Sequence, residues 1–373
     1  KQRHTAKRIW ERLRDEHGFA GGYTIVKDYV REKKRRMREV FIPLHHPPGE
    51  AQVDFGTARA RIGGIPTEVK LFCLDLCHSD AIFVKAFPTE KTEVFLQGHV
   101  DAFSFFGGVP RRITYDNLKV AVKKILQRGA RELTDAFLAL KSHYLFDHRF
   151  CRVFKGNEKG KVENLVGYAR RNFLVPVPDV ADLDELNAVL LERCVRRRQD
   201  VLRGHEKTIG ERFEEEKDRL RALPSAPFEA CCRRAGRVNG LLLVRFDRND
   251  YSAPSDFAYH EVEVKGFTDR VEICHKDDVI AVHDRCYGKG RAIFDPVHYL
   301  AVLERKPGAL DQARPLIGLD LPACFRDLRA LMEARDEARG KRDYIRVLRL
   351  LENASLPELR KAVETVLDLS LIH

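Results

Sequence analysis

The sequence predicts a multidomain α+β protein: an N-terminal helix-turn-helix, an α/β core on a mixed sheet, a small β-barrel and C-terminal helices. Three observations carry that expectation. Strand-like runs between residues 51 and 87 are followed by a helical stretch, a further short strand and more helices, the order of an α/β layer. Residues 236–287 alternate apolar and polar side chains between turn signals. Both ends of the chain show charged, helix-period patterns. At 373 residues, 44% hydrophobic and 33% charged, the length predicts two to four domains of about 100–200 residues. The composition excludes global disorder.

Residues 1–40 are expected to be the helix-turn-helix. Ile9, Trp10 and Leu13 recur at helical spacing behind Thr5, a candidate N-cap. Gly18-Phe19-Ala20-Gly21-Gly22 breaks that helix. The second begins at Tyr23-Thr24, with Val26, Tyr29 and Val30 on one face and Thr24, Lys27, Asp28 and Arg31 toward the other, and runs on through Lys33-Lys34-Arg35-Arg36. Tyr23, Thr24, Lys27, Arg31, Lys33, Lys34, Arg35 and Arg36 are its candidate DNA contacts. Paired prolines make residues 41–50 an extended linker.

The core is expected over 51–178. It has strand patterns at 51–56, 69–76 and 81–87, a helix at about 90–106 ended by Gly107-Gly108, a strand at 112–115, and helical stretches around 134–144 and 158–173. A charged helical connector (179–235), the barrel (236–296) and a helical region (297–373) punctuated by Pro307, Pro315 and Pro322 complete the chain. The tail is expected to carry protein contacts.

The net charge is +11, which points to a polyanionic partner. By segment it is +7 for 1–48, +5 for 49–180, zero for 181–235 and −1 for 236–373. The excess lies in the first half, whereas a merely soluble basic protein would spread it; the +7 on the helix-turn-helix pattern favours double-stranded DNA as the partner over a charged solvated hairpin. No apolar run reaches the roughly 18–20 residues of a membrane span, so no membrane partner is expected. The opening Lys1-Gln2-Arg3-His4 is no signal peptide and, without an initiator Met, reads as a fragment. Nine cysteines without a CxxC pair suit a reducing cytoplasm. Cys73, Cys77 and His78 read as strand and turn residues before they read as a zinc clip.

Within the basic half, three carboxylates stand out. Asp54 sits mid-strand between Val53 and Phe55, Asp116 ends the fourth strand beside Asn117, and Glu163 lies early in a helix with Val162, Leu165 and Val166 on its packed side. Two strand carboxylates and one from a helix laid over the sheet can converge, and acidic oxygens are what Mg²⁺ or Mn²⁺ requires. Two such ions support in-line phosphoryl transfer. Lys119, Lys159, Lys161, Arg170 and Arg171 flank them and are candidate phosphate contacts. The chain's 56 acidic residues offer other trios, and spacing alone does not choose among them. Rival chemistry is poorly supported: there is no G-x-S-x-G nucleophile motif for His143 or His148, and Gly288-Lys289-Gly290 is not a P-loop. Arg196-Arg197-Arg198 suits a DNA contact and a solvated helix face equally.

Four segments carry a resemblance: Pro48-Gly49-Glu50-Ala51-Gln52-Val53-Asp54-Phe55-Gly56, Phe105-Phe106-Gly107-Gly108-Val109-Pro110-Arg111, Tyr115-Asp116-Asn117-Leu118-Lys119 and Lys159-Gly160-Lys161-Val162-Glu163-Asn164. With Tyr251-Ser252-Ala253-Pro254, and in this order, they resemble the IstA transposases of insertion-sequence family 21. These are DDE recombinases with an RNase-H-like core related to retroviral integrases. The resemblance implies that Asp54, Asp116 and Glu163 are a catalytic triad holding two Mg²⁺ or Mn²⁺ ions. It implies cleavage of element ends and strand transfer into target DNA, terminal-repeat recognition, an AAA+ ATPase helper of the IstB type, a homodimer or higher assembly, and a bacterial cytoplasmic setting. The alternative is a non-catalytic DNA-end-binding or targeting protein with an inactive integrase-like core.

Overall fold

In a computed structural model, residues 4–36, 46–115, 121–125, 131–151 and 165–370 are described. The chain opens with two helices, α1 (Ala6–His17) and α2 (Tyr23–Arg36). Thr5 is the N-cap, its hydroxyl accepting from Arg8 N, and Gly18 closes α1 at φ 64°, where a side chain would be strained. The Trp10 indole donates to the Gly21 carbonyl at 2.9 Å. The inner face is narrower than its spacing suggests: Val26 is buried, but Tyr29 and Ile25 are both 62% exposed. Two helices alone cannot enclose so wide an apolar stripe.

The core sheet is built on β1 (Glu50–Ile62), β2 (Ile65–Leu76) and β3 (Ala81–Phe87). β1 and β2 form one long antiparallel hairpin, turning at Gly63 and Gly64, both with positive φ, as a two-residue hairpin turn demands. The strand patterns at 51–56 and 69–76 are therefore parts of longer strands. After α3 (Thr92–Phe106) come β4 (Arg112–Tyr115), the small β5 (Val122–Ile125) and β6 (Arg131–Leu133) pair, α4 (Asp135–Tyr144) and β7 (Asp147–Phe150). Sheet order is β3-β2-β1-β4-β7; β4 runs parallel to both β1 and β7, so the sheet is mixed.

Helix α5 (165–173) follows, its last turn Ala169–Phe173 wound as a π-helix. Next are the two-residue β8 (Asp179–Val180), paired to the far end of β1, then α6 (Leu183–Arg197) and α7 (Ile209–Lys217). Strand alternation sorts the core into two layers. Val53, Phe72 and Tyr115 face Phe95, Phe103 and Phe137 of α3 and α4, whereas Ala58, Ala60 and Cys73 face Val166, Phe173 and Leu190 of α5 and α6. Helices covering both faces of a partly parallel sheet satisfy its two apolar surfaces.

The alternating region resolves into two sheets around one core. β9 (Cys232–Arg237), β12 (Glu261–Gly266), β13 (Arg270–His275) and β14 (Asp278–Asp284) make a four-stranded antiparallel sheet. β10 (Leu243–Phe246), β11 (Asn249–Ser252) and β15 (Ala292–Ile293) make the second. Val244, Phe246, Tyr251, Val264 and Ile273 fill the space between them. Among the described strands no ladder joins the two sheets, so the barrel expected from the alternation is a pair of sheets. The chain ends in α8 (Val297–Arg305), α9 (Ala323–Arg335), α10 (Glu337–Arg349) and α11 (Leu356–Ser370), packed about Phe325, Tyr344 and Ile345. Pro307 and Pro315 open short 3₁₀ turns and Pro322 caps α9, as prolines without a free N–H should.

Candidate active site

Asp54 is the fifth of the thirteen residues of β1, the strand with the most partners in the sheet. It stands opposite Cys73 of β2, on the face covered by α5 and α6, and is partly exposed among buried neighbours. Its Oδ1 accepts the Phe55 N–H at 2.9 Å, which holds the carboxylate close to the backbone. Burial pushes the Cys73 thiol well above its ordinary range; the Asp54 charge adds to the shift and Arg170 opposes it. Asp54 and Arg170 thus share one electrostatic neighbourhood.

Two residues on, Gly56 explains how a helix can approach this face. A Cβ there would lie 2.2 Å from Val166 Cγ1, so only glycine allows α5 to sit this close to β1. Val166 is three residues past Glu163 in the chain. On the opposite edge of β1, parallel pairing sets Val53 beside Tyr115. Asp54 and Asp116 are therefore the residues that follow two paired neighbours. Asp116, Lys119, Lys159, Lys161 and Glu163 themselves lie outside the described residues. Among the described residues, no group of three His, Cys, Asp or Glu is arranged to hold a metal ion.

Of the other expected contacts, Arg170 and Arg171 are exposed on the π-wound end of α5. Thr24, Lys27, Arg31 and Lys33 are exposed on α2, with Arg31 3.1 Å from Asp28. The backbone of Lys34, Arg35 and Arg36 continues that helix. The Tyr23 ring packs edge-on against Trp10, centroids 6.2 Å apart, so it helps join α1 to α2.

Several residues around the site carry no motif. Arg193 donates to the Asn172 and Phe173 carbonyls and so caps α5 from α6. The three consecutive arginines part company. Arg196 is exposed, Arg197 lies 4.0 Å over the Tyr168 ring, and Arg198 lies between Phe105 and Phe213 at 4.6 and 4.5 Å, its pKa lowered by burial. Buried Glu216 of α7 accepts from Gly49 N at 2.8 Å and Ser79 N at 3.0 Å, fixing the start of β1. On the α3 side, His99 and Tyr115 are fully buried and hydrogen-bonded at 2.9 Å, and burial lowers the His99 pKa to about 4. Arg212, four residues before Glu216 on α7, donates to Asp80 at 3.0 Å, so α7 also clamps the turn between β2 and β3, and that i,i+4 spacing is its sign in the sequence. The His99–Tyr115 pair left none.

Residues 223–295, which contain both small sheets, match the family described as Mu transposase, C-terminal domain. A Pseudomonas aeruginosa transposase for insertion sequences IS1326/IS1353 is 33% identical over 366 residues, covering 94% of this chain and 71% of that protein. The transposase of insertion sequence element IS21, also from Pseudomonas aeruginosa, is 28% identical over 72% of this chain and 70% of its own length. The magnesium-bound HTLV-2 integrase catalytic core aligns with 44% of this chain and 95% of its own at 18% identity and a TM-score of 0.33, a likeness too distant to carry an argument. Identity at this level over nearly the whole chain, joined to the motif order and mixed sheet above, makes this protein a member of the IS21-type DDE transposases, whose function is DNA transposition.

Proposed function

We propose that Asp54, Asp116 and Glu163 together form the catalytic carboxylate triad, and that the protein cleaves the ends of its element and joins them to target DNA. The parallel rung Val53–Tyr115 is the observation that carries this reading. Neighbouring strands lie about 4.8 Å apart, so the residues succeeding that rung start from adjacent positions. Val53 and Tyr115 both face α3 and α4; strand alternation turns the next residue of β1, Asp54, to the opposite face, toward α5. The close seat of Val166 on Gly56 brings the segment after Glu163 over that same face.

The donor set suits Mg²⁺ or Mn²⁺. The three side chains offer hard carboxylate oxygens, and Cys73, the soft ligand opposite Asp54, is held as a thiol by burial. When bound, a pair of such ions would supply Lewis-acid stabilisation to the attacking and leaving oxygens of an in-line displacement. The protein's part is placement. The Phe55 N–H holds the Asp54 carboxylate, while Arg170 and Arg171 with Lys119, Lys159 and Lys161 grip the phosphate backbone. In cleavage, a water oxygen attacks phosphorus and the element's 3′-oxygen departs with a proton. In joining, that 3′-hydroxyl attacks a target phosphodiester and displaces another 3′-oxygen.

Residues 1–40 read the terminal repeats through α2, residues 51–178 perform the chemistry, and residues 179–235 connect them to the 236–296 sheets. The 297–373 helices then meet a second protomer or an ATPase helper of the IstB type. Asp54→Asn tests the triad. It should abolish nicking and joining of labelled element ends while retaining end binding in a gel-shift assay, and full strand transfer by this variant would refute the assignment.

A further inference from the structure

We infer that His99 and Tyr115 act as a positioning pair: their buried hydrogen bond fixes the rung from which Asp54 is presented. The inference rests on the triad reading above and concerns residues that touch neither DNA nor the reacting atoms.

Tyr115 closes β4, paired with Val53 of β1 on one side and Phe150 of β7 on the other. Its hydroxyl lies 2.9 Å from His99 Nε2. His99 Nδ1 lies 2.7 Å from the Phe95 carbonyl. A carbonyl only accepts, so Nδ1 carries the proton, Nε2 is the acceptor, and Tyr115 donates. Both side chains are fully buried. Around His99 stand Phe95, Phe72 and Phe103 at ring separations of 4.5, 5.1 and 5.7 Å, and Phe137 meets Tyr115 at 5.3 Å and 90°.

An all-apolar core would cost less, since each buried polar group must be desolvated and then satisfied. Phenylalanine at both positions would leave the packing indifferent to small slides and rotations of β4. A hydrogen bond has a direction and a length, and here it joins the strand's last residue to a helix that lies across the sheet. Because Tyr115 and Val53 share a rung, a shift of Tyr115 moves Asp54 relative to whatever follows β4. The pair therefore contributes geometry to the site.

Mn²⁺ alone, titrated calorimetrically into the full chain, is the probe, with thermal melting alongside. Asp54→Asn should lose Mn²⁺ binding. Tyr115→Phe should keep the fold and bind Mn²⁺ about tenfold more weakly, the lower end of the effect of removing a supporting contact from a metal site. His99→Leu with Tyr115→Phe removes both polar partners. This double variant should recover the melting temperature that the orphaned His99 nitrogen lost, yet still bind Mn²⁺ weakly. If Tyr115→Phe binds like the unmodified protein while Asp54→Asn does not, the positioning role is wrong and the triad stands. Recovery of Mn²⁺ affinity together with melting temperature in the double variant would likewise show a purely structural pair. Unaltered binding by Asp54→Asn would instead overturn the triad itself.

Discussion

Asp54, the first carboxylate of the proposed triad, shows how little of a residue's setting lies in its own side chain. Its carboxylate is held by the next backbone N–H, its field reaches a thiol on β2, and its place depends on the rung at Val53. The same scale carries a pH prediction. Burial lowers His99 and His298 to about 4, below the ordinary value near 6.5. Between those values the unfolded chain binds protons that the folded chain refuses. The stability these two histidines contribute is therefore complete above pH 6.5 and falls as the pH drops toward 4, by up to about 1.4 kcal/mol per pH unit for each. Melting temperatures measured from pH 7 to 4 should show this fall, and His99→Leu should flatten it; an unchanged slope would remove His99 from the account.

At the scale of elements, the seat of α5 on β1 is what the proposed triad requires, because Glu163 precedes Val166 by three residues in the chain. Gly56 permits that approach, Arg193 caps the far end of α5, and Arg197 stacks on Tyr168 within it. Gly56→Ala would drive a methyl against Val166 and is expected to cost about 1–3 kcal/mol, the usual range for overpacking. Element-end cleavage should fall much further than the melting temperature, because the helix moves before the core fails. Equal, small losses in both measurements would mean that α5 placement is not critical.

The whole molecule depends on contacts between these layers. Arg285, 1% exposed, joins Glu93 at the start of α3 to Asp247 of the small sheets at 2.8 and 3.0 Å, and Lys91 also reaches Asp247. Burial raises the Glu93 pKa, partly offset by Arg285 and Lys91. Arg285→Ala leaves Glu93 buried without its cation and should cost about 3–5 kcal/mol in chemical denaturation; a loss under half of that would show the joint to be dispensable. Charge distribution carries a second prediction. With +7 in the first 48 residues, end binding should weaken steeply with salt, by about 0.9 log units per log unit of salt for every phosphate neutralised. A flat response over 50–300 mM would argue against the reading of α1 and α2 as a DNA-binding element.

Local patterns determined a good deal without any coordinates. The Thr5 cap, the Gly18 break, the core strands and the proline-marked helix starts each depend on neighbours a few residues away, so periodicity and backbone preference reveal them. The motifs around Asp54, Asp116 and Glu163, taken in order, named the family. Tertiary structure alone decided the rest. Sequence does not state which strand pairs with which: the 53–115 rung spans 62 residues and follows from packing of both sheet faces. Nor does it separate Arg196, Arg197 and Arg198, since a helix turns about 100° per residue and sends one to solvent and two onto different aromatic rings. Gly56 reads as a strand end until Val166 is seen against it. Long-range packing sets these positions, because a buried face is defined only by what covers it.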